Sequence, residues 1–325
     1  MKTSLSMPSP TSWLVPTRRQ LWEGVRLFGM ILLGGLLLSP LVARLPVLGW
    51  DWYFFIYRNN PDFNILGPNS AYPPYAPIFL DALTWMDWRT SLAILNSLTL
   101  VTVAVATWRN GGKYGSIVLA LFTPPFFYLF WTGLPDGLSL LGLITGFVPL
   151  ALIKPQLTFF SMFGNKKLLA WTVIFLVLSL IIWPLWPLKL GQASFGHSAA
   201  FGWEKAGWPV LVLGLLLLAG AGKHTYRLMA AGLLISPFLM PYNFSVLLPV
   251  IGEARGWRKV VIWAFAWLTL LGVGMPWPVK YLNLLFPIAA YCLTHSWSEY
   301  LNNLGALADR LKQYSRVLFY KLRQA

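Results

Sequence analysis

The strongest candidates for chemistry lie in one aromatic and proline-rich stretch, residues 48–88, which holds four of the ten acidic residues: Asp51, Asp62, Asp81 and Asp87. Asp51 comes directly after the first apolar segment, between Trp50 and Trp52. A carboxylate at a membrane boundary is costly unless it is paired, hydrated or functional. A low-dielectric surrounding can also raise its pKa toward a value suited to proton transfer. The alternative is structural, because aspartate is a good residue for starting a helix.

Other polar residues are weaker candidates. A possible second polar cluster comprises His197 and Glu204, in a second outside loop at about 188–208, together with Asp136, Tyr242 and Asn243. A lone loop histidine is more often solvated than functional. No spacing of His, Asp or Glu predicts a metal site, and the sequence has no Gly-rich phosphate loop and no Ser/His/Asp set.

The composition determines which elements must position these residues. The 325-residue chain is 57% hydrophobic and only 11% charged, whereas a soluble domain usually has about 25% charged residues. Apolar runs of roughly 17–25 residues, the length that crosses a bilayer as helix, recur throughout. We predict an all-α polytopic membrane protein and exclude a soluble enzyme. A secreted disulfide scaffold is also excluded, because Cys292 is the single cysteine.

Ten transmembrane segments are predicted, with both termini cytoplasmic. Eight lie at about 26–47, 89–108, 115–132, 137–153, 168–187, 209–222, 260–275 and 281–295. The stretch 227–252 is long enough for one span, but prolines interrupt it. Two half-helices meeting at Pro241-Tyr242-Asn243 would let both ends face the same side. The domains are then a basic leader (1–25), a membrane domain (26–295) with short interfacial helices in its outer loop (48–88), and a cytoplasmic tail (296–325).

The net charge of +15 is explained by topology. Most basic residues fall in the predicted inside segments, as the positive-inside rule requires, and most acids fall at or near the outside, Asp136 among them. The positive charge therefore predicts contact with anionic phospholipids rather than nucleic acid. The tail, 296–325, has the pattern of a basic amphipathic helix on the inner leaflet. Docking of a protein partner on this helix is the alternative.

Three motifs resemble those of the GT-C superfamily of membrane glycosyltransferases, and most closely glycosyltransferase family 87. These enzymes transfer mannose or arabinose from polyprenyl-phosphate donors. The motifs are Asp51…Tyr57…Tyr72-Pro73-Pro74, Leu152-Ile153-Lys154-Pro155-Gln156, and Ser236-Pro237…Pro241-Tyr242-Asn243…Leu247-Leu248-Pro249. They occur in the family's order across residues 26–255. The resemblance implies a GT-C-like fold at the outer face of a bacterial cytoplasmic membrane.

The resemblance also implies roles for individual residues. Asp51 would be the general base of an inverting transfer from a polyprenyl-phosphate-linked sugar. Arg58 would stabilise the leaving phosphate, and Tyr57 and Tyr72 would orient the substrates. Lys154 has two interpretations: it extends to the inner interface, or its span is broken and it reaches the lipid phosphate. No cofactor is predicted, although a divalent ion at Asp51 is left open.

The chain departs from the family pattern at two positions. Gly133-Leu134, followed by Asp136, replaces a Gly-Gln pair, and Asn243 replaces an aspartate that often follows the late tyrosine. These changes and the short chain support a second hypothesis, a non-catalytic membrane subunit that keeps a degenerate GT-C fold. A transporter is a third hypothesis. It is disfavoured because the predicted spans carry few central ionisable residues.

Overall fold

A computed structural model describes residues 18–57, 72–190, 206–237, 239–272, 279–294 and several residues between 301 and 313. These residues are all-helical and contain no β-strand, which confirms the predicted class. The α-helices are α1 (Arg18–Val42), α2 (Pro77–Thr84), α3 (Trp88–Arg109), α4 (Tyr114–Leu121), α5 (Pro124–Thr132), α6 (Asp136–Thr145), α7 (Val148–Ala151), α8 (Pro155–Thr158), α9 (Lys166–Ile182), α10 (Trp186–Leu190), α11 (Trp208–Gly220), α12 (Thr225–Ile235), α13 (Val250–Glu253), α14 (Trp257–Trp267) and α15 (Leu285–Leu293). A π-helical turn covers Trp52–Tyr57, and 3₁₀ turns cover Phe159–Gly164, Pro241–Leu247, Leu268–Gly272 and Val279–Leu284.

Two of these helices, α1 and α3, are long and apolar enough to cross a membrane. The pair α4 and α5 forms a third span if the two helices are counted together, although they are bent by 61°. Shorter apolar helices make up much of the remainder. The structure therefore supports a helical membrane protein, while the number of ten spans stays a prediction.

Helix α3 is the central element of the fold. Asp87 caps its start, because its carboxylate accepts hydrogen bonds from the Arg89 and Thr90 amides at 3.1 Å each. These bonds, with the Thr90 side chain first, lower the pKa of Asp87. Helix α1 packs along α3 at Gly35, where an added Cβ would lie 2.6 Å from Leu98. Within an 18-residue apolar stretch of each helix, 22% of α1 is buried, against 72% of α3. Helix α1 therefore lies at the periphery.

The segment predicted as a single span at 137–153 has a different structure. Helix α6 ends at Gly146, which has a positive φ of 77°, and α7 begins two residues later. Glycine readily adopts this left-handed conformation, whereas other residues are strained in it. Hydropathy alone did not reveal the reversal, since both arms are apolar. The chain therefore turns back, so that Lys154 returns to the start of α6.

The segment 227–252 is broken, as the prediction of two half-helices required. Helix α12 ends at Ile235, and a 3₁₀ turn begins at Pro241. His224, which precedes α12, lies 2.5 Å from Glu253 at the end of α13, measured from Nε2 to Oε1. The two ends of the segment therefore lie on the same side. Most of the tail at 296–325 lies outside the described residues, but Asn303 donates a hydrogen bond to the Gly220 carbonyl at 3.0 Å.

Replacing Gly137 with alanine is expected to destabilise the protein by about 1–3 kcal/mol through overpacking. An added Cβ would lie 2.3 Å from the Thr99 hydroxyl oxygen, in the contact between α3 and α6. Gly29→Ala is the matched control, because a Cβ there meets nothing within 4 Å. Gly29→Ala gains helix propensity without a new contact, so a loss of stability confined to Gly137→Ala in thermal unfolding in detergent reports the packing effect. Equal melting temperatures for the two variants would contradict the α3–α6 contact.

Candidate functional site

A buried ion pair lies where the chain turns back. The Lys154 ammonium contacts one carboxylate oxygen of Asp136, and the two residues are only 6% and 0% exposed. Asp136 is the first residue of α6, and Lys154 directly precedes α8. Taking both charges out of water is expensive, so the pair requires further polar contacts to stabilise it.

Asn243 supplies such a contact from the 3₁₀ turn at Pro241–Leu247. Its side-chain amide nitrogen donates to the second carboxylate oxygen of Asp136 at 2.7 Å. Its amide oxygen accepts a hydrogen bond from the Met240 backbone at 2.8 Å. The second bond fixes the orientation of the amide, so that the NH₂ group faces the carboxylate. We call Asp136, Lys154 and Asn243 the Asp136 cluster.

Aromatic rings surround the ammonium of this cluster. Lys154 Nζ lies 5.5 Å from the ring centre of Tyr72 and 5.0 Å from that of Tyr242. Both distances fall within the range of cation–π attraction. Tyr242 in turn stacks on Tyr128 of α5, with 5.8 Å between the ring centres. Burial, with the nearby Asp136 charge, raises the pKa of Tyr72 well above its ordinary value, so its phenol stays protonated.

Asp51 lies beside the Asp136 cluster and is half-buried. Burial raises its pKa above the ordinary value, and the Asp136 charge acts in the same direction. The Lys154 ammonium and a hydrogen bond with the Thr132 side chain lower the pKa in part. A carboxylate in this environment takes up a proton more readily than an exposed one, as a general base must.

Two hydrogen bonds position the backbone around Asp51. The Gly49 amide donates to the Trp131 carbonyl at 2.9 Å, which joins this segment to α5. The Trp52 indole donates to the Ser91 hydroxyl at 2.8 Å, which joins it to α3. Trp52 is fully buried. Trp52 is therefore part of the scaffold, whereas Trp50, on the other side of Asp51, is exposed.

The Asp136 cluster lies deeper than predicted. The neighbouring Gly137 packs against Thr99, which is 11 residues after Trp88 and about 16 Å along α3. Asp136 is therefore level with the middle of α3, so its predicted place near the outer side is wrong. The chain passes from Gly133, which packs against Leu92 near the start of α3, inward to Gly137 beside Thr99. Asp136 and Lys154 are two ionisable residues at this depth, so the expectation that the predicted spans carry few central ionisable residues is also corrected.

Six of the residues singled out in the sequence come together here: Asp51, Tyr72, Asp136, Lys154, Tyr242 and Asn243. Lys154 contacts Asp136 instead of extending to the inner interface, so that interpretation is wrong. The span is broken, as the alternative required, while the contact of Lys154 with a lipid phosphate stays a prediction. Tyr57 lies on the π-helical turn, with its ring stacked on Tyr53 at 6.3 Å. Arg58, His197 and Glu204 lie outside the described residues.

Sequence reasoning missed two residues of the site, Tyr128 and Thr132. They lie four residues apart and therefore on one face of α5, immediately before the helix-ending Gly133. A tyrosine and a threonine at that spacing, just before a helix-ending glycine, could have indicated these two residues from the sequence. Among the described residues, no group of three or more His, Cys, Asp or Glu side chains could hold a metal ion.

No protein-family model, curated protein or solved structure matches this chain. The resemblance to membrane glycosyltransferases therefore depends on the short motifs and on the site that their residues form.

The variant Asn243→Asp is expected to destabilise the protein by about 1–3 kcal/mol, because an amide donor becomes a second carboxylate facing Asp136. Adding Asp136→Asn to this variant should restore most of the stability. The double variant exchanges amide and carboxylate and keeps one negative charge beside Lys154. Thermal unfolding of the two single variants and the double variant measures the coupling. Additive losses in the double variant would contradict the direct contact between positions 136 and 243.

Proposed function

We propose that this protein is a GT-C-type membrane glycosyltransferase that moves a sugar from a polyprenyl-phosphate donor to a lipid or glycan acceptor. The observation that carries the proposal is the proximity of Asp51 to the Asp136 cluster. Residues from all three motifs contribute to this one site: Asp51 and Tyr72 from the first, Lys154 from the second, and Tyr242 and Asn243 from the third. The convergence of residues from three distant segments on one site supports the proposal.

In this proposal, Asp51 is the general base. It takes the proton from the acceptor hydroxyl as that oxygen attacks the anomeric carbon, and the polyprenyl phosphate leaves from the opposite face with inversion. Its half-burial and raised pKa suit this role. Tyr72 and Tyr242 would orient the sugar, because protonated phenols donate hydrogen bonds and aromatic faces pack against sugar rings.

The charges of the site define what the donor phosphate requires. Two carboxylates, Asp51 and Asp136, face one ammonium, Lys154. Lys154 is already bonded to Asp136, so it is a weak partner for a phosphate. A leaving phosphate needs further positive charge. Arg58, seven residues after Asp51, is proposed to supply it, with a divalent ion as the alternative source.

The proposed location is a bacterial cytoplasmic membrane, with the chemistry at the outer face and both termini inside. The distribution of charge in the fold supports this orientation. Asp87 lies at one end of α3, whereas Arg109 lies at the other end, near Lys166 and Lys167. By the positive-inside rule the basic end is cytoplasmic, so Asp51 is on the outer half.

A second candidate function is a non-catalytic subunit of a larger membrane complex. The observation that favours it is the closure of the Asp136 cluster, whose carboxylate is fully buried and bonded on both oxygens. A site filled by its own side chains can stabilise a fold without binding a substrate. The departures at Leu134 and Asn243 agree with this alternative.

Photo-crosslinking with a short-chain polyprenyl phosphate that carries a photoreactive group tests the proposal. The probe is added to purified full-length protein in lipid vesicles, and labelled peptides are mapped by mass spectrometry. We expect labelling near Tyr72 and Tyr128, and competition by the same lipid bearing a sugar. Copurification with a stoichiometric partner and no labelling at this site would instead support the subunit.

A further inference from the structure

A cavity lies at the opposite end of α3 from Asp51. It is a groove of about 1070 Å³ between α1 and α9, and the turn between α6 and α7 forms its floor. Its walls are apolar, formed mainly by Phe28, Val148, Trp171, Ile174, Phe175 and Leu178. Helix α9 is itself poorly covered: Thr172 and Ser179 are its only buried residues. The groove therefore opens between two helices at the periphery of the described structure.

One end of the groove carries positive charge. Arg109, Lys166 and Lys167 line this rim. Lys167 donates to the Gln20 side-chain oxygen at 3.5 Å, and Arg109 donates to the Ile144 carbonyl at 3.2 Å. Both of these acceptors are neutral.

The rim also contains an acid and a helix end. Glu23 lines the groove, but it is paired with Arg19 at 3.0 Å, so the rim remains positive overall. The amino terminus of α9 lies at the same place, with Asn165 capping it through bonds to the Lys167 and Leu168 amides. The helix dipole therefore adds to the positive potential.

The length of the groove matches one leaflet of a bilayer. Along α9 its lining extends from Lys166 to Leu178, twelve residues or about 18 Å of helix. The hydrocarbon core of a bilayer is about 30 Å thick, so one leaflet contributes about half of that. A ligand with an anionic head at the rim and an apolar tail along the wall would fit both features.

We propose that this groove binds an anionic glycerophospholipid of the inner leaflet. Its phosphate would lie against Lys166, Lys167 and Arg109, and an acyl chain would pack between α1 and α9. The assignment does not depend on the proposed glycosyltransferase activity, because the groove and Asp51 lie at opposite ends of α3. It goes beyond a general attraction of basic residues to the membrane, since it predicts one site with defined walls.

Lipid retention is the test. Full-length protein is delipidated in detergent and titrated with phosphatidylglycerol or phosphatidylcholine of identical chains, and bound lipid is measured by native mass spectrometry. We expect wild-type protein to retain phosphatidylglycerol preferentially. The double variant Lys166→Ala/Lys167→Ala should bind it about 30-fold more weakly, because each lysine near an anionic lipid contributes about fivefold.

Two controls separate the groove from general surface charge. Lys113→Ala/Arg255→Ala removes the same charge from exposed positions that do not line the groove, and should leave binding unchanged. Ile174→Trp, which fills the groove, should also weaken binding, whereas Val177→Trp on the same helix should not. Equal retention of both lipids, or equal loss in the control charge variant, would overturn the proposal. Stronger retention of a polyprenyl phosphate than of phosphatidylglycerol would also overturn it.

Discussion

Replacing Lys154 with methionine is expected to lower the free energy of unfolding by about 3–5 kcal/mol, the usual effect of removing one partner of a buried ion pair. Asp136 is fully buried, and the variant would leave its carboxylate with Asn243 as its remaining described polar partner. Methionine retains most of the length and apolar volume of the lysine side chain. The loss would therefore report the unpaired charge rather than a cavity.

The double variant Asp136→Asn/Lys154→Met is the decisive control for that prediction. Removing both charges should recover most of the stability, since a neutral polar pair costs far less to bury than one carboxylate. Lys113→Met, at an exposed position, should have little effect. Chemical or thermal unfolding of the purified proteins in detergent measures all three variants. A Lys154→Met protein as stable as the wild type would mean that Lys154 and Asp136 are not paired in the membrane.

Replacing Asp51 with asparagine is expected to reduce sugar transfer by about 10²–10⁴-fold, the usual contribution of a general base. The reduction should fall on kcat rather than on KM, because asparagine keeps the shape of the side chain but cannot accept the proton. The wild-type rate should rise with pH as Asp51 loses its proton, at a pKa above its ordinary value of 3.8. This dependence should be absent from the residual activity of the variant.

Stability distinguishes a catalytic role of Asp51 from a structural one. Burial raises its pKa, so the folded state favours the neutral form, and the neutral asparagine should not destabilise the fold. The raised pKa also predicts that the Asp51 contribution to stability falls as pH rises from 3.8 toward the folded-state pKa. Asp81→Asn, the same change in the same outer segment, should leave transfer unchanged. A matching loss in both variants would contradict the role of Asp51.

The sequence predicted the fold class better than it predicted the path of the chain. Hydropathy reports how apolar a segment is, and it cannot show that α6 and α7 are two arms of a reversal at Gly146. Lys154 was therefore assigned to the inner end of a span, whereas it lies against Asp136. The prolines of 227–252 were a stronger signal, and the predicted break there was correct.

The contact between Asp136 and Asn243 could not be predicted. Asp136 and Asn243 are 107 positions apart in the chain, and their hydrogen bond exists only in the folded state. Taken singly, Asn243 suggested the loss of a functional group. Together they form a complementary pair, in which an amide donor faces a carboxylate that Lys154 neutralises. The role of a polar residue at such a break therefore depends on which residue it contacts in the folded protein.

The most direct test of the account is sugar transfer by the purified protein in lipid vesicles. The donors would be synthetic short-chain polyprenyl-phosphate mannose and arabinose, with a membrane extract as acceptor and nucleotide sugars as comparison donors. The account predicts transfer from a polyprenyl-phosphate donor, none from a nucleotide sugar, and loss of transfer in Asp51→Asn but not in Asp81→Asn. Unchanged transfer in Asp51→Asn, or no transfer from any polyprenyl-phosphate sugar by a folded protein that copurifies with a stoichiometric partner, would contradict it.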